Sequence, residues 1–229
     1  MAHLLDNIFW HSLSESQSQF AIGEGKARRY ALGFSPILGF AEPWNPDFDA
    51  LRPYCQSNEQ FYCGDWSGAI STAWQQHWRI DKEASMYRMV WQGELPLEDT
   101  LFSYQPLTTQ DAEQALALAQ LTNPGPFGLR TIELGLYLGC FEAGRLIAMA
   151  GERSFAHPYR EISGVCTHPD FQGRGLAGRL MRQIIRHQLQ AQEIPFLHVM
   201  SHNKLAHELY LKMGFVDYCE TPVRVITRL

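Results

Sequence analysis

Val165-Cys166-Thr167-His168-Pro169-Asp170-Phe171-Gln172-Gly173-Arg174-Gly175-Leu176-Ala177 is the stretch that decides how this chain is read. A strand-like run ends at Thr167, a turn containing proline follows, and a glycine-rich loop leads directly into an amphipathic segment. Glycines let a backbone approach a ligand closely and take positive φ. A helix N-terminus presents unpaired N–H groups and a partial positive charge. Together they form a cradle for pyrophosphate, and Arg174 adds a cation. Leu176, Leu180 and Ile184 fall on one row and Ala177, Met181, Ile185 and Leu189 on the next, which predicts a helix over 176–192.

Gly173, Gly175 and Gly178 also satisfy GxGxxG, so a dinucleotide-binding fold has to be weighed. That fold places its glycines immediately after the first strand, with several βα units still to come. Here about five residues of turn intervene, and too little chain follows Gly178 to build those units. A P-loop fails as well, because no GK[ST] follows the glycines.

Outward from this segment, the second half reads clearly. Residues 101–107 read as a strand. Thr108 opens a helix with Asp111 three positions on, an approximate capping box, and Asn123-Pro124-Gly125-Pro126 ends it. Residues 136–141 and 146–154 form a hairpin, 161–167 a strand, 196–200 a short strand, and 203–213 a helix stopped by Gly214. Residues 215–227 supply one or two final strands. The first half is harder to read. Strands are predicted at 29–34 and 86–92 and short helices at 47–56 and 67–78, with Pro36, Pro43, Pro46 and Pro53 marking loops between them. All six tryptophans precede residue 92. Residues 1–103 hold 7 Lys and Arg against 13 Asp and Glu, whereas the remainder is close to balanced. Both shifts place a boundary near residue 100, with 93–99 as linker, giving an N-terminal α/β lobe (1–100) and a C-terminal domain (101–229).

Gln172-Gly173-Arg174-Gly175-Leu176-Ala177 resembles the [RQ]xxGx[GA] signature of the GNAT acyltransferases. Asn203-Lys204-Leu205-Ala206-His207-Glu208-Leu209-Tyr210-Leu211-Lys212-Met213-Gly214-Phe215 resembles that family's "N…A…LY…GF" segment, at the family's usual separation. The likeness covers roughly 101–229, and the whole chain is similar to bacterial GNAT proteins with a longer N-terminal part. It implies an α+β fold, a mixed and mostly antiparallel sheet flanked by helices. The N-terminal lobe is read as a degenerate second GNAT-like unit.

The resemblance also implies an activity, the direct attack of a primary amine on the thioester of acetyl-CoA. The amine must lose a proton, the tetrahedral oxyanion needs donors, and the departing thiolate needs a proton or a hydrogen bond. By motif position, Val165, Cys166 and Thr167 present their backbone to the pantetheine arm, with an oxyanion donor near Cys166. Gln172, Gly173, Arg174, Gly175, Leu176, Ala177 and Gly178 hold the pyrophosphate. Asn203, an N-cap by its own chemistry, adds a contact to the same donor, and Tyr210 serves the sulfur. Glu161 matches the base of histone-type members. By period-two alternation it shares a face with Ser163, Val165 and Thr167. His198 stands where another subgroup carries a glutamate, and an imidazole can do that work. Glu161 ranks first as base and His198 second, with a water-relayed base also open. Two other classes compete with the amine acetyltransferase: a regulatory module that binds acyl-CoA without turnover, and a glycine-acyltransferase-like enzyme taking a bulkier acyl group.

Composition narrows the partners. With 45% hydrophobic and 19% charged residues and a net charge of −5, the chain is globular and not a nucleic-acid binder by charge. Arg174, Arg179, Arg182 and Arg186 form a local basic patch, for which a solvated helix face is the plainer reading at Arg182 and Arg186. Five scattered cysteines without CxxC fit free thiols in a reducing compartment. His198, His202 and His207 lack the companions of a zinc site, so no metal is expected. No apolar run approaches the ~18 residues of a membrane span. Residues 1–10 do not read as a secretory signal, so a cytoplasmic protein is expected. The resemblance implies acetyl-CoA and a small amine or a peptide amine as partners, and a homodimer is left open.

Overall fold

The computed structural model describes residues 3–66 and 68–229. Met1, Ala2 and Ser67, which fall within segments read above, lie outside the described residues. The strands are β1 (Ala21–Ile22), β2 (Ala27–Tyr30), β3 (Ile37–Phe40), β4 (Gln60–Gly64), β5 (Trp78–Trp91), β6 (Gln105–Pro106), β7 (Tyr137–Glu142), β8 (Arg145–Ala156), β9 (Tyr159–Thr167), β10 (Ile194–Met200) and β11 (Phe215–Arg228). The α-helices are α1 (Ile8–His11), α2 (Phe48–Leu51), α3 (Thr72–Gln75), α4 (Ala112–Thr122), α5 (Leu176–Gln190) and α6 (Lys204–Met213).

All eleven strands join one sheet in the order β1-β2-β3-β4-β11-β5-β10-β9-β8-β7-β6. Among the described residues, only β3–β4 and β9–β10 run parallel. This is the mixed, mostly antiparallel sheet flanked by helices that the resemblance implied. Its centre holds strands from opposite ends of the chain: β5 lies between β10 and β11, and β11 between β5 and β4. The connections also repeat. In each half an antiparallel pair (β2–β3, β8–β9) leads into a parallel pair (β3–β4, β9–β10), and a further helix then leads into a long strand (β5, β11) that pairs with the other half.

Helix α5 forms as its periodicity requires, burying Leu180, Met181, Ile184 and Ile185 completely. These pack with Ile162, Leu197, Met89 and Phe215, and α6 lends Ala206 and Tyr210 to the same core. Burial of each such side chain contributes about 1.5–3 kcal/mol. On the opposite side, Ala115, Leu118 and Ala119 of α4 pack with Tyr137, Met149 and Cys166. The N-terminal turns bring Leu5, Ile8, Phe9 and Leu13 against Tyr30, Ile37, Met86 and Phe196. Thr108 and Asp111 form a full capping box at the turn Thr109–Asp111 that leads into α4.

Several elements differ from their sequence reading. The strand expected over 101–107 shrinks to Gln105–Pro106, an edge pair with β7 in which Pro106 has no N–H to extend the ladder. Leu101 is 92% exposed. The helix expected over 47–56 is α2 followed by a 3₁₀ turn at Arg52–Tyr54, since Pro53 cannot continue an α-helix. The helix expected over 67–78 reduces to α3, and Trp78 already begins β5. The strand expected over 86–92 is only the end of β5, whose exposed first half, including Asp81, Lys82 and Glu83, carries no apolar alternation.

Candidate active site

The parallel pair β9–β10 is in register from Ile194↔Tyr159 to Leu197↔Ile162 and pairs no further. Beyond those residues the strands part, β10 toward β5 and β9 toward β8. Gly164 is the reason on the β9 side. Its φ is +63°, and the register against β8 slips by one residue between Ser163↔Gly151 and Cys166↔Met149. That is a β-bulge, which bends a strand and leaves an unpaired residue. The slip also breaks the face expected from period two. Ile162 and Val165 pack toward α5, whereas Cys166 packs toward α4. Glu161, Ser163, Val165 and Thr167 therefore do not share one face.

At the mouth of this opening stands the N-terminus of α5. Gly175 is its N-cap at φ +70°, without a side-chain cap, and Gly173 is also left-handed at +77°. The loop 172–175 is exposed, and a Cβ built at either glycine would meet nothing within 4 Å. The first N–H groups of the helix, at Leu176, Ala177 and Gly178, thus face outward with no side-chain acceptor. Gln172 reaches back to the Thr167 carbonyl at 3.5 Å. Arg174 pairs with Glu142 at 3.1 Å, both half exposed. Two other arginines of the basic patch are engaged along the 93–99 linker, Arg179 with Asp99 at 2.7 Å and Arg186 with the Pro96 carbonyl, while Arg182 donates to the Gly178 carbonyl at 3.3 Å. Asn203 caps α6, its Oδ1 accepting from Ala206 N at 3.2 Å.

Val165, Asn203, Ala206 and Tyr210 line one cavity with Glu161 and His198, of about 340 Å³. The Tyr210 hydroxyl has no hydrogen-bond partner among the described residues, and burial pushes its pKa up to about 12, so it keeps its proton at neutral pH. The Cys166 thiol is buried and pushed up to about 11 by that burial, so it is no thiolate nucleophile.

Glu161 and His198 meet in an ion network that neither motif foretold. Glu161 is fully buried. Its Oε1 accepts from Arg153 Nη2 at 2.6 Å and from His198 Nδ1 at 2.7 Å. Its Oε2 accepts from Arg153 Nε at 3.0 Å and from Ser154 N at 3.2 Å. All four acceptor sites of the carboxylate are filled. Burial opposes its charge, but Arg153 and His198 outweigh it and hold the carboxyl well below the usual carboxylate range. His198 Nε2 accepts from Arg88 Nε at 2.9 Å. Burial lowers the imidazole pKa against the pull of Glu161, so His198 is neutral with its proton on Nδ1. Arg88 in turn donates from Nη2 to both oxygens of Asp65, at 2.9 and 3.0 Å, and from Nη1 to the Leu5 carbonyl. Phe9 stacks on the imidazole at 5.2 Å, a seat left open by Gly64, where a Cβ would lie 2.6 Å from the Phe9 ring. Asp65, Arg88, Arg153 and Phe9 carry no motif. Arg153 meets Glu161 across the β8–β9 hairpin, whereas the partners of Asp65, Arg88 and Phe9 lie far along the chain, where a short window contains no trace of them.

Two further carboxylates, Glu133 and Glu152, are committed elsewhere. Glu133 pairs with Arg130 on the surface, and buried Glu152 accepts from Leu136 N and Gln188 Nε2. Among the described residues no group of His, Cys, Asp and Glu could hold a metal, and no helix is long and apolar enough to cross a membrane.

Comparison with known proteins agrees with this geometry. The FR47-like protein family matches residues 136–225, which span β9, the glycine loop, α5, β10 and α6. No curated protein matches the chain. Among solved structures, a GNAT-family protein from Novosphingobium aromaticivorans is 29% identical over the full length of both chains, with a TM-score of 0.89. A GCN5-related N-acetyltransferase-like protein from Streptococcus suis shares the fold at 16% identity and a TM-score of 0.59, covering 97% of this chain and 92% of its own. A GCN5-related N-acetyltransferase from Kribbella flavida does so at 14% identity and 0.58, covering 95% of each. The parted parallel strands and the uncapped helix beside them are thus set in an architecture shared with GNAT-family proteins, and at 29% identity over its full length the chain is similar to the Novosphingobium protein in sequence as well as fold.

Proposed function

We propose that this protein moves an acetyl group from acetyl-CoA to a primary amine by direct attack. One observation carries the reading: the gap between β9 and β10 opens beneath an uncapped helix N-terminus and is overlooked by a tyrosine that keeps its proton. The residues present fit the donor. Outward N–H groups at Leu176, Ala177 and Gly178, with the open space over Gly173 and Gly175, suit a pyrophosphate. Gln172, Arg174 and Asn203 border the same path, and the unpaired edges of Val165, Cys166 and Thr167 suit the amide-bearing pantetheine arm. Bound there, acetyl-CoA supplies the activated acyl carbon.

The chain's own groups then have separable tasks. The His168 N–H donates to Ile147 in β8, and N–H direction alternates along a strand. Of the groups around Cys166, those of Val165 and Thr167 therefore face the gap and suit an oxyanion. Tyr210 donates its proton toward the sulfur. The Glu161 carboxylate has no free lone pair, so it serves as a positioning residue: it fixes the tautomer of His198 and stabilises the imidazolium once formed. His198 takes the amine proton at Nε2 when Arg88 yields that site, directly or through water. A protein that only senses acyl-CoA has no need of the Tyr210 proton.

Calorimetry with acetyl-CoA tests the reading. Saturable binding is expected in the wild type, lost in Gly175→Glu with the fold intact by circular dichroism. Tyr210→Phe should keep that affinity and lose about 10²-fold in turnover. A well-folded wild type that does not bind acetyl-CoA overturns the proposal, and a Phe variant of unchanged rate removes Tyr210 from it.

A further inference from the structure

The cavity does not end at the β9–β10 gap. It continues over the N-terminal half of the sheet, and the strand registers define its floor. Tyr62 of β4, Val225 of β11 and Lys82 of β5 stand in one lateral row, and Gly64, Val223 and Ala84 form the next. Met86 follows on β5, directly opposite Met200 of β10. All of these line the cavity. The second row is small and apolar, so the floor is a trough between polar groups at one end and the reaction gap at the other.

The charges of the lining are Lys82, Arg153 and Glu161. Arg153 and Glu161 neutralise each other, and His198 is uncharged. Lys82 makes no ion pair among the described residues. Tyr62 stands in the same row on the far side of Val225, and its hydroxyl makes no hydrogen bond among them. The chamber therefore holds one uncompensated cation with a donor in the same row at its far end, and no free carboxylate. An amine with a second cationic group would meet repulsion there, whereas an anion would find both partners. At about 3.4 Å per residue, Lys82 lies roughly 14 Å along β5 from Met86. The lysine arm spans part of that distance.

We propose that the acceptor is an amine with an apolar body and a carboxylate at its far end, the carboxylate held by Lys82 and the Tyr62 hydroxyl while the body lies along Val223, Ala84 and Met86. This rests on the acyl-transfer reading only for the fate of the amine. The anion site stands on the cavity itself.

Calorimetry with octanoate and octanamide isolates the anion site, and acetyl-CoA is titrated separately. The wild type should bind octanoate about tenfold or more tighter than octanamide. Lys82→Met should bind the two alike with unchanged affinity for acetyl-CoA, and Lys82 is exposed, so the variant keeps its fold. Tyr62→Phe should lose part of the preference. In the acetylation assay, ω-aminooctanoate should show a KM about tenfold below that of octylamine, and Lys82→Met should erase the difference. Equal binding of octanoate and octanamide by the wild type, or binding of neither, overturns the proposal. Binding of octanoate by a protein that ignores acetyl-CoA would leave the anion site standing and remove the acyl-transfer reading instead.

Discussion

At the scale of single residues, the site depends on a row of charges that balance: Asp65 and Glu161 against Arg88 and Arg153, with a neutral His198 between them. Such a buried network is costly to break, because removing one partner leaves the other charge uncompensated. Glu161→Gln should destabilise the protein by about 3–5 kcal/mol in urea melts at pH 7. The sign of its pH dependence follows from the depressed carboxyl pKa. The Glu161 contribution is complete above the unfolded value of about 4.3 and is lost only as pH falls through the much lower folded value. The deficit of the variant should therefore be undiminished at pH 5.5. His198, also depressed, acts in the neighbouring window: the wild type should lose stability as pH drops below about 6.5, where the unfolded imidazole takes up a proton and the folded one does not. A wild type equally stable at pH 7 and 5.5 would show that His198 is not held neutral. Since Glu161 pulls the imidazole pKa up, the Gln variant should also move the acid limb of the rate profile to lower pH. Glu161 and His198 could be picked from the sequence because each stands at a fixed offset from a motif. Arg88 and Asp65 could not, since Arg88 meets His198 across 110 residues of chain.

At the scale of elements, the long helices α5 and α6 were legible, whereas the short helices of the first half and the faces of the strands were not. Leu180, Met181, Ile184 and Ile185 repeat at a helical period over a segment long enough to count, so α5 could be read to within two residues. Alternation in β9 fails at Gly164, where the register against β8 slips by one residue. Gly164 inserts a residue, turns Cys166 away from the α5 side and releases β9 from β10. A lone glycine within a strand pattern hints at a bulge, but the hint does not say which side chains change face. Gly164→Ala should be costly on two counts. The residue needs a left-handed φ, and a Cβ would lie 3.0 Å from Tyr137 Cε1 and 3.3 Å from Phe127 Cε2. A loss of about 1–3 kcal/mol is expected. The affinity for acetyl-CoA should fall by more than a comparably destabilising substitution far from the gap, because the opening itself depends on the bulge. Equal affinities in the two variants would mean that β9 and β10 part for another reason.

At the scale of the whole molecule, the strand connections before and after the shift in tryptophan and charge near residue 100 repeat, as a degenerate duplication would leave them. We read the N-terminal half in that way, and the repeat of antiparallel pair, parallel pair, helix and crossing strand supports it. The halves do not keep their own strands, however. β5, from the first half, pairs with β11 over its whole length, from Trp91 against Phe215 to Trp78 against Arg228, and with β10 from Met86 to Val90. No local pattern announces such an exchange, because its partners are set by which edges are left free when both halves fold. The consequence can be tested by cutting the chain. Residues 101–229 carry the glycine loop, Tyr210, Glu161 and His198, yet alone they would leave β10 with a bare edge and β11 with no partner on either side. His198 would lose Arg88, and Met89 and Trp91 would be missing from the core beneath α5 and α6. Exposed edges of this kind invite aggregation, and a core stripped of a central strand lacks the close packing of a native interior. The 101–229 fragment should therefore be insoluble or lack a cooperative unfolding transition, and should not bind acetyl-CoA. Co-expression with residues 1–100 should restore both properties, because the missing strand can add from a separate chain as it adds from the same one. A fragment that melts cooperatively and binds acetyl-CoA by itself would show that the composition boundary is a true domain boundary, with β5 only an accessory to it.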